Sequence, residues 1–247
     1  MSTHKLYSPL SDSAREIRLL KFLPSPDFSA PVHSTLHVSP LNDPLEPYKA
    51  LSYAWGDPTI TAPIFLNGKG CLVTTNLHSA LRHLRSETET VFLWADAVCI
   101  DQSDNGEKSH RVAQMGRIYR GAEGVLVWLG DEGDDSSLAV DLILSACVGD
   151  GLTEFPPPGV AGERVVNAMR KFLFREWWSR LWVVQEVVLA REVSFFCGAR
   201  RIEEVEMSVG MSAFLGLLSN SSGTGFAQEE IIMERFLMIV AMIDRGG

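Results

Sequence analysis

The chain has 247 residues, of which 46% are hydrophobic, and this is enough apolar sequence to bury a sizeable core in one large folding unit. Its formal net charge is −9, from 31 acidic and 22 basic residues. No run of Lys and Arg supplies the positive surface that a phosphate backbone needs, so the sequence predicts no nucleic-acid partner.

Cysteine usage and the N-terminal sequence both predict a cytoplasmic protein. The four cysteines are widely separated, lie in apolar surroundings and form no CxxC pair, so we expect reduced core residues. The N-terminal MSTHKLYSPLSDSAR has no apolar signal core, and the longest apolar run, residues 236–243, is far shorter than the roughly 20 residues that cross a bilayer. The sequence therefore predicts neither secretion nor a membrane span.

Strand patterns dominate the first part of the chain. Residues 16–22 and 32–38 alternate in polarity and indicate a strand pair, which we expect to form a lead-in, residues 1–47, that covers a sheet edge or packs beside the core. In IFLNGKGCLV, Asn67-Gly68 tolerates the positive φ of a tight turn and predicts a hairpin.

Strands and helices then alternate. Apolar runs predict strands over residues 49–55, 91–95 and 124–129, and the helices between them are capped at Thr75 and at Asp104, where Glu107 completes a capping box. This pattern predicts an α/β fold with a doubly wound, mostly parallel sheet and helices on both faces. Ligands bind beyond the carboxyl ends of such strands, where Trp55-Gly56-Asp57 and residues 96–101 would lie.

The remaining sequence predicts an acidic loop, DEGDDSS, a helix over residues 165–174 and a strand over 193–197. Two apolar helices, over residues 203–218 and 228–244, would form a helical extension, residues 201–247. The abrupt end of the sequence suggests that the natural polypeptide continues.

Several familiar sites are excluded by spacing. The sequence has no GxxxxGK[ST], HExxH or GxSxG motif, and its six histidines are scattered, so we predict no metal and no bound cofactor. The acidic loop lacks the Gly and Glu that a calcium loop requires at its sixth and twelfth positions.

The segment REWWSRLWVVQEVVLA contains the most unusual ionisable residue. Ser179 is a good N-cap and Trp178 can pack on Val183, so we expect a helix to begin there. Glu186 would then lie among valines, where a carboxylate is costly to bury unless it has a partner or a function. A structural ion pair with Arg180 or Arg191 is the alternative to a functional role.

Other candidate residues also have two interpretations. Trp55, Trp94, Trp128 and Trp182 are expected first as core residues, although Trp55 follows a strand end where its ring can stack on a base or pyridine ring. Asp96 and Asp101 can cap turns as readily as they can serve catalysis. Ser52 and Cys99 have no activating base in sequence reach and are not expected to be nucleophiles.

Three sequence blocks closely resemble the heterokaryon incompatibility (HET) domain of filamentous fungi. In order along the chain they are YKALSYAWGD, then LWADAVCIDQ with its continuation to VLVWLG, and then WWSRLWVVQEVVLA followed by VSFFCG. The resemblance covers roughly residues 48–200. It implies a nonself-recognition protein that triggers regulated death of fused cells, and many family members are longer chains.

A weaker resemblance concerns mechanism. LSYAWGD and LWVVQEV are similar to segments of Toll/interleukin-receptor (TIR) domains, which share a flavodoxin-like sheet. It implies NAD hydrolysis with Glu186 as the catalytic residue, activation by self-association, and incompatibility or NLR-type proteins as further partners. The residues expected to bind NAD as substrate are Ser52, Tyr53, Trp55, Gly56, Asp57, Asp96 and Trp182. The alternatives are a non-enzymatic signalling module and a domain that senses a nucleotide without turnover.

Overall fold

The computed structural model describes residues 6–11, 16–148 and 159–219 of the chain. The predicted helix over residues 228–244 and the SNSSGTG linker before it lie outside or almost wholly outside these ranges. The chain divides into two units, the first formed by residues up to Val127 with Leu189–Glu192, and the second by Trp128–Val188 with the residues from Val193 onward.

The first unit is built on a sheet with helices. Its elements, in chain order, are β1 (Glu16–Phe22), β2 (His33–Pro40), β3 (Lys49–Tyr53), β4 (Thr61–Leu66), β5 (Lys69–Thr74), α1 (Thr75–Leu84), β6 (Val91–Trp94), α2 (Asp96–Cys99), α3 (Asn105–Gly121) and β7 (Gly124–Trp128), whose last residue belongs to the second unit. The strand order is β5-β4-β2-β1-β6-β3-β7.

The sheet of the first unit is mixed, whereas a mostly parallel, doubly wound sheet was predicted. β3 pairs with β6 and β2 with β4 in parallel, but β1 is antiparallel to both β2 and β6, and β4 is antiparallel to β5. The α/β class is therefore correct. The parallel arrangement holds only for part of the sheet, because the antiparallel pairs β1–β2 and β4–β5, both predicted as strand pairs, belong to the same sheet as β3 and β6.

The predicted lead-in is part of the sheet itself. β1 lies between β2 and β6, not at an edge. Its consecutive residues Ile17, Arg18, Leu19 and Leu20 are all buried, so both faces of the strand are covered. A strand buried on both faces is expected in the interior of a sheet, and the apolar run Leu19-Leu20 is the sequence signal for this position.

Local turn and cap chemistry follows the sequence closely. Asn67 and Gly68 have φ values of 52° and 74° and connect β4 to β5, as the hairpin prediction requires. The carboxylate of Asp104 accepts hydrogen bonds from the amides of Gly106 and Glu107 and caps α3. The cap of α1 is Thr74, one residue before the predicted Thr75.

In its described residues, 128–148, 159–188 and 193–219, the second unit contains mostly helices and one strand pair. Its elements are α4 (Ser136–Ser145), α5 (Gly162–Leu173), α6 (Glu176–Ser179), α7 (Val183–Val188), β8 (Val193–Cys197), β9 (Arg200–Glu203) and α8 (Glu204–Ser219). β8 and β9 form an antiparallel pair. The core of the unit includes Trp177 and Trp178, which pack edge to face and both contact Phe195.

The helix predicted to begin at Ser179 begins later. Ser179 ends α6, where its hydroxyl donates to the carbonyl of Glu176, and Arg180 adopts an extended conformation with ψ 137°. The chain returns to helix at Val183, and the carbonyl of Trp182 accepts from the Glu186 amide. Ser179 is a good hydrogen-bonding residue for either end of a helix, so its presence alone did not distinguish the two.

Candidate functional site

Each unit holds one of the predicted groups of polar and tryptophan residues. The first, here called the Asp96 cluster, consists of Tyr53, Trp55 and Asp96. The second, here called the Glu186 pair, consists of Arg180 and Glu186. The assignment of both groups to a single site stays a prediction.

The Asp96 cluster forms where β3 and β6 end side by side. These two strands are parallel, so the residues that follow them, Trp55 and Asp96, emerge at the same edge of the sheet. Oδ1 of Asp96 accepts a hydrogen bond from the Tyr53 hydroxyl at 2.9 Å, and Oδ2 accepts one from Nε1 of Trp55 at 3.0 Å. The amide of Ala97 donates to Oδ1 at 2.7 Å.

Tyr53 and Trp55 differ in exposure. Tyr53 is 2% exposed, and burial, reinforced by the neighbouring Asp96 carboxylate, raises its pKa well above the ordinary value. The hydroxyl therefore remains a hydrogen-bond donor at any physiological pH. Trp55 is 40% exposed although its N–H is bonded to protein, so part of its ring is accessible to a ligand.

The turn after Trp55 is held by its own residues. Gly56 has a φ of 71°, which disfavours any residue with a Cβ atom. Oδ1 of Asp57 accepts from the hydroxyl and the amide of Thr59, and these bonds lower the pKa of the exposed Asp57 carboxyl. The predicted Asp57 thus stabilises its turn and is not part of the Asp96 cluster.

Ser52 and Asp101 were also weighed as site residues, and the structure places both of them outside the Asp96 cluster. Ser52 is completely buried in β3. Asp101 accepts hydrogen bonds from the amide and hydroxyl of Ser103, which is the turn-capping role considered for it.

Asn76 supports the Asp96 cluster but was not among the predicted site residues. Its Nδ2 donates to the carbonyl of Ala54 at 2.6 Å and so fixes the backbone next to Trp55. From the sequence, Asn76 is only a polar residue in the first turn of α1. Its bond to Ala54 could not be predicted, because the two residues lie 22 positions apart.

A second unpredicted residue, Arg18 of β1, is almost fully buried. Its guanidinium donates to both carboxylate oxygens of Glu107 and to the carbonyls of Cys99 and Ser8. Glu107 also accepts from the amide of Asp101, so it does not close the predicted capping box. Arg18 thereby ties β1 to the loop that follows Asp96 and α2.

The Glu186 pair is an ion pair with long contacts. Glu186 is 1% exposed, between the buried Val183 and Val187 on α7. The Arg180 nitrogens Nη1 and Nη2 lie 3.5 and 3.4 Å from its two oxygens, and the Arg180 side chain is 22% exposed. The predicted alternative of a pairing with Arg180 is therefore present in the structure, at distances longer than the 2.7–2.9 Å typical of strong charge-assisted hydrogen bonds.

Two of the six tryptophans are exposed. Trp94, Trp128, Trp177 and Trp178 are at most 3% exposed, as core residues are expected to be, but Trp55 is 40% and Trp182 is 53% exposed. The expectation of a core position is therefore wrong for Trp55, which follows the end of β3, and for Trp182, which lies in the turn directly before α7. An exposed tryptophan beside a polar group is a common element of binding sites.

Neither a metal centre nor a membrane-crossing helix is found in the described ranges. No group of three or more His, Cys, Asp or Glu side chains within residues 6–11, 16–148 and 159–219 is arranged to hold a metal ion. Over the same ranges, every helix is too short or too polar to cross a bilayer.

The fold and these two clusters define an α/β protein with a mixed sheet and exposed tryptophans beside carboxylates. The chain belongs to the heterokaryon incompatibility (HET) protein family, whose model matches residues 48–186. It is similar to heterokaryon incompatibility protein 6, OR allele, of Neurospora crassa, with 30% identity over 242 residues. That match covers 81% of this chain and 35% of the relative, so the chain spans about a third of the relative's length. No solved structure matches.

Proposed function

We propose that this protein is a cytoplasmic effector of heterokaryon incompatibility that kills by hydrolysing NAD or a related nucleotide at the N-glycosidic bond. Membership of the HET family and the name of the Neurospora relative support the incompatibility role. The observation that carries the enzymatic part is the buried Glu186 carboxylate, one turn after the exposed Trp182. It occupies the position that the resemblance of LWVVQEV to TIR domains assigns to the catalytic glutamate.

The reaction is compatible with a single carboxylate. Water adds to the anomeric carbon of the nicotinamide ribose, the bond to the pyridine nitrogen breaks, and nicotinamide takes the electron pair and leaves as a neutral molecule. ADP-ribose and a proton are the other products. Because the leaving group is already cationic in NAD, no general acid is required, and Glu186 stabilises the oxocarbenium-like ribose and holds its hydroxyls.

Arg180 is compatible with this role. A carboxylate buried among valines is expensive to ionise unless a positive charge lies nearby, and the Arg180 guanidinium supplies one. Its contacts with Glu186 are long and its side chain is partly exposed, so a substrate hydroxyl can compete for the carboxylate oxygens. The resemblance to TIR domains further supports activity in a self-associated state, in which a neighbouring subunit completes the site.

A second candidate function is a non-enzymatic contact module in the same pathway. Leu181 and Trp182 are 80% and 53% exposed next to the Glu186 pair. Adjacent exposed apolar side chains are typical of protein contact sites. In this alternative Glu186 has a structural role as an ion-pair partner of Arg180.

Nicotinamide release separates the two functions. Purified protein is incubated with NAD, first dilute and then tethered at high density on vesicles, and nicotinamide is followed by chromatography beside a Glu186→Gln variant. We expect turnover in the tethered state and its loss in Glu186→Gln. The matched control is Glu176→Gln, which makes the same change at an exposed position of α6 and should retain activity.

Two results would count against the proposal. If wild-type protein is inert in both states yet its expression kills fungal cells, the contact module is favoured. If Glu186→Gln retains full turnover, the activity stands but its assignment to Glu186 is wrong.

A further inference from the structure

Trp55 is exposed and yet unusually fixed. Its indole N–H donates to Asp96 and the residue is 40% exposed, so a ligand would meet an indole whose polar group already has a protein partner. A ligand that meets this ring is therefore recognised by stacking rather than by a hydrogen bond to the indole.

Asp96 is occupied by protein donors. Three groups donate to its two oxygens, namely the Tyr53 hydroxyl, the Trp55 indole and the Ala97 amide. The Tyr53 hydroxyl is buried and keeps its proton, so it fixes the carboxylate from inside the protein. The carboxylate in turn fixes the orientation of the Trp55 ring.

The backbone on both sides of Trp55 is also fixed. Asn76 holds the carbonyl of Ala54 at 2.6 Å. After Trp55 the chain turns at Gly56, where an added Cβ would lie 3.3 Å from Cβ of Asn76 in a conformation that side chains rarely adopt. Side chain and backbone are thus both ordered before any ligand arrives.

Stability alone does not explain this arrangement. The Trp55–Asp96 hydrogen bond lies at an exposed position, where a hydrogen bond contributes little net stability because water can replace either partner. Ordering a binding side chain in advance, in contrast, removes an entropic cost that binding would otherwise bear.

We propose that Trp55 is a preorganised stacking platform for the planar heterocyclic base of a nucleotide, and that Asp96 is the positioning residue that orients it. The proposal rests on the nucleotide substrate of the proposed function. It changes the role first predicted for Asp96, which orients the ring instead of contacting the ligand, and it excludes Tyr53 as a stacking residue because Tyr53 is buried. The pyridine ring and the adenine ring of NAD both have the required chemistry.

The first test uses the indole N–H signals of the six tryptophans in protein labelled with ¹⁵N-tryptophan. The Trp55 signal is assigned by its absence in Trp55→Phe, and the protein is titrated separately with nicotinamide mononucleotide and AMP. We expect saturable ring-current shifts of the Trp55 signal with one of them, which also identifies the base. If neither nucleotide at millimolar concentration moves this signal, the platform is refuted.

Affinity of the variants tests the platform quantitatively. Stacking on one aromatic side chain corresponds to a rise in Kd of roughly fivefold to hundredfold when that side chain becomes alanine. We expect this for Trp55→Ala and a smaller rise for Trp55→Phe. Phe174→Ala, which removes another exposed aromatic ring, should leave Kd unchanged.

A double-mutant cycle tests the positioning role of Asp96. Asparagine offers an N–H₂ group where one of the three donors now binds, so Asp96→Asn should shift the Trp55 indole signal without ligand and raise Kd by roughly two- to tenfold. In a Trp55→Ala background it should have no further effect on Kd. An equal additional loss in both backgrounds would mean that Asp96 supports the fold and does not act through Trp55.

These outcomes are distinct from failure of the proposed function. If nucleotide binds at Trp55 but NAD is never hydrolysed, the enzymatic proposal fails and the platform stands. If NAD is hydrolysed but Trp55→Ala leaves Kd and KM unchanged, the platform fails and the enzymatic proposal stands.

Discussion

Glu186 has two interpretations that differ in their effect on stability. Its contacts with Arg180, at 3.4 and 3.5 Å, are long, while its burial at 1% exposure carries a desolvation cost. We expect Glu186→Gln to keep or raise the free energy of unfolding, since glutamine preserves the shape and removes the charge. Such a gain on removal of a functional group is the expected function-for-stability trade. Urea denaturation measures it.

The matched comparison is Glu107→Gln. Glu107 binds the buried guanidinium of Arg18 through both oxygens, so its change leaves a buried charge poorly paired and should cost about 3–5 kcal/mol. A loss of that size for Glu186→Gln instead would identify Glu186 as a structural ion-pair partner.

The cysteines differ in accessibility, which thiol labelling can measure. Cys147 is exposed, Cys71 is half-buried, and Cys99 and Cys197 are buried, so the expectation of four core cysteines is wrong for Cys147. Burial raises the pKa of the Cys99 thiol to about 12. The thiolate is the reactive form, and a higher pKa lowers its fraction at a given pH.

We therefore expect iodoacetamide to modify Cys147 first and Cys71 more slowly, as mapped by mass spectrometry. Raising the pH from 7 to 9 should accelerate both, while Cys99 stays protonated and reacts only after unfolding in urea. Early labelling of Cys99 in the folded protein would contradict the burial of α2.

At the level of single elements, the helix caps make unequal contributions. The carboxylate of Asp104 accepts two amides of α3 at 2.9 and 3.0 Å, whereas the hydroxyl of Thr74 accepts one amide of α1 at 3.4 Å. Asp104→Ala should lower the free energy of unfolding by about 1 kcal/mol, and Thr74→Ala by less. Asp104→Asn, which keeps the acceptor, should recover most of the loss. Equal losses at the two caps would contradict these geometries.

Turns and helix ends whose conformation depends on neighbouring residues were predicted well from the sequence. Asn67-Gly68 and Asp104 each act on backbone within a few positions, so their consequences can be read locally. The start of α7 could not be read in this way. Ser179 ends α6, the helix that carries Trp177 and Trp178, and these two side chains pack on Phe195, which is distant in sequence.

At the scale of the whole molecule, pairings between distant residues were the least predictable. The sequence indicated that Trp55 and Asp96 both follow strands, but not that one would donate to the other across 41 positions. The same limit explains β1, whose strand pattern was recognised but whose neighbours were not. Strand order depends on tertiary contacts that no local pattern encodes.

The position of β1 predicts that the region matched by the family model does not fold by itself. The HET model begins at residue 48, yet β1 and β2 belong to the sheet of the first unit. β1 contributes four apolar side chains that are at most 3% exposed, Ile17, Leu19, Leu20 and Phe22. At about 1.5–3 kcal/mol each, their burial is comparable to the whole stability of a typical domain, about 5–15 kcal/mol.

A chain that begins at residue 48 should therefore fail to fold. Without β1, one edge of β6 loses its antiparallel partner, and Glu107 and the Cys99 carbonyl lose the guanidinium of Arg18. We expect loss of cooperative thermal unfolding and of dispersed amide signals. A chain that begins at residue 6 is the control and should unfold cooperatively. Cooperative unfolding of the shorter chain would mean that β1 is dispensable and that the rest of the sheet can form without this interior strand.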